Sequence, residues 1–224
     1  MRHPGSSLGV SGGRVFVKIC GIRSIQDARL AVEAGADAIG FVFWPMSPRR
    51  IDADAAAAIG RELPPFVLRV GVFVDTPRDE MAVVADRAGL DLLQLHGDEP
   101  PEALAGAPRR ALKAVRVGKG FAVQDALRYV GHAAGVLVDT RLAGETALPG
   151  GTGVTFDWTL IRGLRDRVPF LMLAGGLSPD NVAEAIRAVR PHAVDVSSGV
   201  EARPGRKDPA KVRAFVEAVR AEER

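Results

Sequence analysis

A chain of 224 residues, 47% hydrophobic and 25% charged, buries one substantial core and has the length that a single barrel domain commonly reaches. Its net charge of +3 comes from bases and acids interleaved along the chain, and with 5% aromatic residues it offers few platforms for bases to stack on, which argues against a nucleic-acid partner. The single cysteine cannot form an internal disulfide, residues 1–13 lack the apolar stretch of a signal peptide, and no run is apolar and long enough to span a bilayer; the sequence therefore predicts a cytoplasmic protein with no membrane partner.

The chain begins with a Gly- and Ser-rich segment, residues 1–13, expected to be a disordered extension of one catalytic domain over residues 14–224. Val15-Phe16-Val17-Lys18-Ile19-Cys20-Gly21 predicts a buried strand that carries the thiol to the point where the chain turns. Taken alone, that stretch reads more readily as core packing than as chemistry, because free cysteine is among the most buried residue types. Ser24 and Asp27 predict a capping box for a helix that runs to about Ala34 and stops at Gly35. Residues 38–43 form the second expected strand, and Asp52 caps an alanine-rich helix to about Arg61. Residues 66–74 read as strand three, after which Thr76-Pro77 and Asp79 predict a helix with proline at its first position. Residues 92–95, 110–115, 135–138, 170–174 and 193–196 supply the remaining strands, and Ser178-Pro179 and Asp208-Pro209 are further cap-plus-proline helix starts.

Repeated βα units in a chain of this size predict a (β/α)8 TIM barrel or a doubly wound open sheet. Near-continuous apolar strands suit either, but no Gly-rich dinucleotide fingerprint follows the first strand, which favours the barrel. The ends of the strands carry Cys20, then Ser47 and Arg49, Asp75, Gln94 and His96, Asp139, Gly175-Gly176, and Ser197-Ser198-Gly199, whereas the opposite loops hold mostly turn and cap residues. That asymmetry predicts an active site at the C-terminal ends of the strands. Gly175-Gly176 permits close backbone approach, Ser178 is expected to cap a helix whose amino end favours an anion, and Ser197, Ser198 and Gly199 add hydroxyls and amides, so the ligand is expected to be a phosphorylated small molecule. From its position alone Asp139 is as readily a turn cap through Thr140 as a proton carrier, and Gln94 with His96 as readily a hydrogen-bonded plug as a substrate contact. Asp75 reads as a cap for the Pro77 helix, and Asp195, inside a strand, as a hydrogen-bonding partner set behind the substrate. The four histidines have no ligand spacing and no second cysteine accompanies them, so no metal and no cofactor is expected.

Seven blocks occur in the order of a known family: Lys18-Ile19-Cys20-Gly21; Gly40-Phe41-Val42-Phe43 with Ser47-Pro48-Arg49; Arg69-Val70-Gly71-Val72-Phe73-Val74; Gln94-Leu95-His96-Gly97; Val138-Asp139-Thr140; Phe156-Asp157-Trp158; and Asp195-Val196-Ser197-Ser198-Gly199-Val200-Glu201. From about Val15 to its end the chain resembles the phosphoribosylanthranilate isomerases of tryptophan biosynthesis. The resemblance implies a cofactor-free Amadori rearrangement of an aminoaldose into an aminoketose. It further implies that Cys20 is the base, Asp139 the acid and Arg49 the ligand of the anthranilate carboxylate. Lys18, on the same strand face as Cys20, is the expected source of thiolate stabilisation, and burial is expected to raise the pKa of Asp139. The related aminoaldose isomerase of histidine biosynthesis would be expected to carry aspartate where this chain has Cys20, and a non-catalytic binding module would have no reason to keep Cys20, Asp139 and Arg49 together. Residues 140–155, rich in glycine, are expected to form a mobile lid, with Val154 where the family commonly has lysine; assembly is expected to be monomeric or homodimeric.

Overall fold

The computed structural model describes residues 14–118, 120–139 and 158–223. The expected extension over 1–13, the expected lid over 140–155 and Val154 lie outside the described residues.

Eight parallel strands close in sequence order into a barrel. They are β1 (Phe16–Cys20), β2 (Ala38–Val42), β3 (Leu68–Phe73), β4 (Leu92–Leu95), β5 (Ala111–Arg116), β6 (Gly135–Asp139), β7 (Leu171–Ala174) and β8 (Ala193–Val196). Helices α1 (Ile25–Glu33), α2 (Ala53–Arg61), α3 (Arg78–Ala88), α4 (Pro101–Ala105), α5 (Val123–Leu127), α6 (Val182–Val189) and α7 (Pro209–Ala221) lie between or after them. Two 3-10 turns, Trp158–Ile161 and Leu164–Arg167, precede β7. After β8 a short antiparallel hairpin that the sequence pattern did not suggest, β9 (Glu201–Arg203) and β10 (Arg206–Lys207), leads into α7.

Local chemistry explains most of the boundaries. Ser24 Oγ accepts from the amide of Asp27 at 3.1 Å, Asp52 from Ala55 at 2.8 Å, and Asp208 from Ala210 and Lys211, so three expected caps form. Three expectations change. Pro77 occupies the cap position of α3 rather than its first turn, and no side chain caps that helix. Strand β3 starts at Leu68, because Pro64-Pro65 makes a turn that leaves Phe66 95% exposed. Ser178 does not cap α6: the helix starts after Asn181, whose side chain accepts from the Ser178 amide at 2.8 Å and donates to the Gly176 carbonyl at 3.0 Å.

Alternate strand residues face opposite sides of the sheet. One set, including Ile19, Phe41, Phe73, Leu93, Val138 and Leu173, packs outward against the helices together with Ala85, Val182 and Phe215. The other set fills the barrel, with Leu112, Ala114, Leu137, Met172, Ala174 and Ala193 in one cluster and Cys20, Val42 and Val72 in another. At the N-terminal end the filling is incomplete: a cavity of about 150 Å³ is lined by Phe16, Ala38, Leu68, Leu92, Phe170 and Met172, among others.

Candidate active site

The inward register that packs the barrel also delivers the polar residues. On β1 it passes through Phe16, Lys18 and Cys20, on β6 it ends at Asp139, and on β8 it passes through Ala193 and Asp195. Cys20 is 7% exposed and pairs in register with Gly40 of β2. A Cβ at residue 40 would lie 2.7 Å from Cys20 Sγ and 3.0 Å from Lys18 Cε, so glycine there is what makes room for both side chains.

Lys18, 1% exposed, donates to Asp195 Oδ1 at 2.8 Å across the β1/β8 pair. Burial works against its ammonium, but Asp195 and then Cys20 outweigh that, and the pKa is held above the ordinary lysine value. For Cys20 burial is the largest influence and pushes the thiol pKa up; Lys18 opposes it, Asp195 adds to it. Lys18 thus acts in the expected direction, towards the thiolate, but its ammonium is shared with Asp195 and desolvation outweighs it.

On the far side of the mouth, Gln94 Nε2 lies 2.9 Å from His96 Nδ1 and His96 Nε2 lies 3.2 Å from Asp139 Oδ2. With the amide donating to Nδ1, the imidazole proton sits on Nε2, facing the Asp139 carboxyl. Gln94 is 1% exposed, and its buried Oε1 has no hydrogen-bond partner among the described residues. The sequence therefore placed three residues that do come together, although their order of contact along β4 and β6 was not readable from spacing.

Arg49 sits on the loop after β2, with its side chain 15% exposed. Its Nε donates to Glu201 Oε1 at 2.8 Å and its Nη2 to Oε2 at 2.6 Å. Gly21, at φ +79, passes so close that a Cβ there would be 2.7 Å from Arg49 Cδ. Glu201 also accepts from Lys207 Nζ at 3.1 Å, and that ammonium donates to the Ser197 carbonyl at 3.1 Å. Burial tends to raise the carboxyl pKa of Glu201, but Arg49 and Lys207 more than offset it, and it lies below the usual range. The buried ammonium of Lys207 is lowered by desolvation despite Glu201, because one carboxylate is divided between two cations. Neither Glu201 nor Lys207 was singled out from sequence; Glu201 lay within a matched block with no role, and nothing local to Lys207 distinguishes it.

A further buried pair supports the loop after β4. Lys113 donates to Glu99 at 3.0 Å and to the carbonyls of Gly97 and Ala114 at 2.7 and 2.9 Å, while Glu99 accepts from the amides of Asp75 and Gly97. Asp75, at φ 46, uses its carboxylate on the Asp98 amide at 2.7 Å; it braces this loop and does not cap α3 as expected. Gly175 and Gly176 take φ 85 and 64 after β7, and Ser197 leads after β8 into a 3-10 turn, Ser198–Val200. A Cβ on Gly199 would overlap the Leu177 carbonyl oxygen at 1.9 Å, so the two loops touch through backbone. Ser197 Oγ is buried and has no hydrogen-bond partner among the described residues.

A closed (β/α)8 barrel carrying a thiol and a carboxyl on separate strands of one mouth, with a paired arginine and adjoining glycine-lined loops, has the design of a barrel enzyme that moves protons on a small anionic substrate. The family model for N-(5'-phosphoribosyl)anthranilate (PRA) isomerase matches residues 17–218. An N-(5'-phosphoribosyl)anthranilate isomerase from Pseudomonas aeruginosa (strain LESB58) is 53% identical over 210 residues, 94% of this chain and 97% of that relative. The crystal structure of phosphoribosyl anthranilate isomerase from Thermotoga maritima superposes with a TM-score of 0.86 at 46% identity, covering 92% of this chain and 99% of that one. A structure of the isomerase in complex with reduced 1-(o-carboxyphenylamino)-1-deoxyribulose 5-phosphate has a TM-score of 0.82 at 44% identity over 92% of this chain and 99% of that one. The chain belongs to the N-(5'-phosphoribosyl)anthranilate isomerase family.

Proposed function

We propose that this chain, an aldose-ketose isomerase of tryptophan biosynthesis, works with Cys20 as base and Asp139 as acid. The observation that carries the assignment is their placement: Cys20 ends β1 and Asp139 ends β6, separated around the closed barrel by β7 and β8, so that a sugar in the mouth presents one face to each. Asp139 gives its proton to the furanose ring oxygen, the C1–O bond breaks, and the anthranilate nitrogen lone pair forms the imine. The thiolate form of Cys20 then takes the proton from C2, giving an enolamine and the neutral thiol. Loss of the C2 hydroxyl proton and protonation at C1 complete the aminoketose with no net change in protons. His96, 3.2 Å from Asp139, orients the carboxyl.

Arg49 receives the anthranilate carboxylate. Gly175, Gly176, Ser197, Ser198 and Gly199 receive the phosphate, a reading supported by the positive-φ glycines and by the unpartnered Ser197 hydroxyl. Lys18 and Asp195 act from beneath Cys20. The protein works in the cytoplasm without a nucleic-acid partner; among the described residues no helix is long and apolar enough to cross a membrane. It assembles as a monomer or a homodimer, the dimeric form being the one named for the Thermotoga maritima protein; sedimentation across a concentration range decides between them.

Complementation of a tryptophan auxotroph lacking only this isomerase tests the reading. Wild type is expected to restore growth, whereas Cys20→Ala and Asp139→Asn are expected not to. Growth supported by either variant would remove that residue from the mechanism.

A further inference from the structure

The guanidinium of Arg49 has two edges that can meet a carboxylate with paired hydrogen bonds, a lateral edge (Nε and Nη2) and a terminal one (Nη1 and Nη2). The lateral edge is occupied by both oxygens of Glu201, at 2.8 and 2.6 Å, and among the described hydrogen bonds Nη1 makes none. Glu201 is itself fixed: it is 7% exposed, opens β9, and accepts from Lys207 Nζ at 3.1 Å and from the Gly205 amide at 3.3 Å. Its own carbonyl accepts from Lys211 of α7 at 3.1 Å. The Arg49 stem is confined from the other side by Gly21.

We propose that Glu201 is a positioning residue for substrate recognition: it holds the lateral edge of Arg49 so that the guanidinium offers only its terminal edge to the carboxylate of the aromatic substrate. The inference rests on the assignment of Arg49 to that carboxylate. Glu201 touches no substrate. It sets the direction of the fork and removes the rotamer freedom of a long side chain before the ligand arrives, which lowers the entropic cost of binding. The charge balance also requires it. One carboxylate lies between Arg49 and Lys207, so the site holds a mobile anion less tightly than two free cations would, and the substrate displaces nothing to reach the terminal edge.

The test is steady-state kinetics on Glu201→Gln. An amide offers one acceptor where Arg49 has two donors, so the fork is released. KM for N-(5'-phosphoribosyl)anthranilate is expected to rise about tenfold or more, the loss of one charge-assisted contact, with kcat within about threefold. The same substitution should leave KM unchanged for the aniline-derived substrate, which lacks the carboxylate, and should add nothing to Arg49→Ala. Glu201→Asp keeps a charge beside Lys207 but withdraws it from Arg49, so it is expected to give a smaller rise in KM; it serves as the test should Glu201→Gln fail to fold. Additive effects of Glu201→Gln and Arg49→Ala, or equal effects on both substrates, would overturn the positioning role. An Arg49→Ala variant with unchanged KM would instead overturn the carboxylate assignment beneath it.

Discussion

The two mouths of this barrel are built from the same strands and differ in almost every property. At the C-terminal mouth the inward residues are Cys20, Gln94 and Asp139, backed by buried ion pairs. At the N-terminal mouth they are Phe16, Ala38, Leu68, Leu92 and Phe170 around a mostly apolar cavity of about 150 Å³, whose lining also includes Lys18 and Asp37, both held in ion pairs. Because side chains alternate along a strand, choosing which residue of β1 faces inward chooses Phe16, Lys18 and Cys20 together. Packing and chemistry are consecutive steps along one register. The contrast teaches that the polar end carries a double burden, since its charges must be neutralised by partners that do not themselves carry the proton transfers.

The sharpest way to break the contrast is to show that the polar end also sustains the fold. Lys113→Met leaves Glu99 as a buried carboxylate without its cation and is expected to destabilise the protein by about 3–5 kcal/mol in chemical denaturation. Adding Glu99→Leu should recover part of that loss; no recovery would mean that the backbone carbonyls and amides held by the pair, rather than its charge, set the cost.

Next in size are Cys20→Ala and Asp139→Asn, each expected to lower kcat by at least about a hundredfold with little change in melting temperature. A large stability loss in either would place that residue on the packing side of the comparison.

A smaller effect is a displacement in pH. With burial dominant, the thiol of Cys20 is raised, so thiolate should form only at a pH above that of a free cysteine. The ultraviolet thiolate absorbance, taken as the difference between wild type and Cys20→Ala, isolates this one group because the chain has a single cysteine. A midpoint at or below that of a free thiol would mean that Lys18 outweighs desolvation. The linkage sign follows: a raised folded pKa contributes stability that is present below the unfolded value and lost as pH rises through the folded one. Alkaline melting should therefore be slightly less steep in Cys20→Ala.

The least effect belongs to the other mouth. Ala38→Val adds two methyl groups beside the cavity and is expected to change stability by no more than about 1 kcal/mol with kcat unaltered. A loss of turnover would show that the two ends are mechanically coupled.

Sequence reading works here where periodicity or strand position suffices. The strands, the closure of the barrel and the location of Cys20, Asp139, Gln94 and His96 follow from apolar runs and their ends. Arg49 could be placed on its loop, but its pairing with a residue 152 positions away has no local signature, and the same is true of Lys207, Lys113 and Glu99. Lys18 lies on the face that its spacing to Cys20 predicts and pulls towards the thiolate, but that spacing shows neither the depth of burial nor the carboxylate opposite it on β8. Phe66 was read into β3 because an apolar run does not reveal where a turn discards its first residue. Ser178 and Asp75 fit cap patterns, but a local turn closed by Asn181 takes the Ser178 amide and a distant partner, the Asp98 amide, takes the Asp75 carboxylate.

The contact of Gly199 with the Leu177 carbonyl bears on how such an enzyme can change over time. On the proposed reading, the phosphate end of the substrate is gripped by main chain together with the Ser197 and Ser198 hydroxyls, in two loops that interlock where no side chain fits, while the aromatic end is gripped by one arginine and its carboxylate brace. Point mutation can rewrite the second grip in a single step but can trim only the hydroxyls of the first. Descendants of this chain would thus diverge in what they accept attached to the sugar long before they abandon the phosphorylated sugar itself.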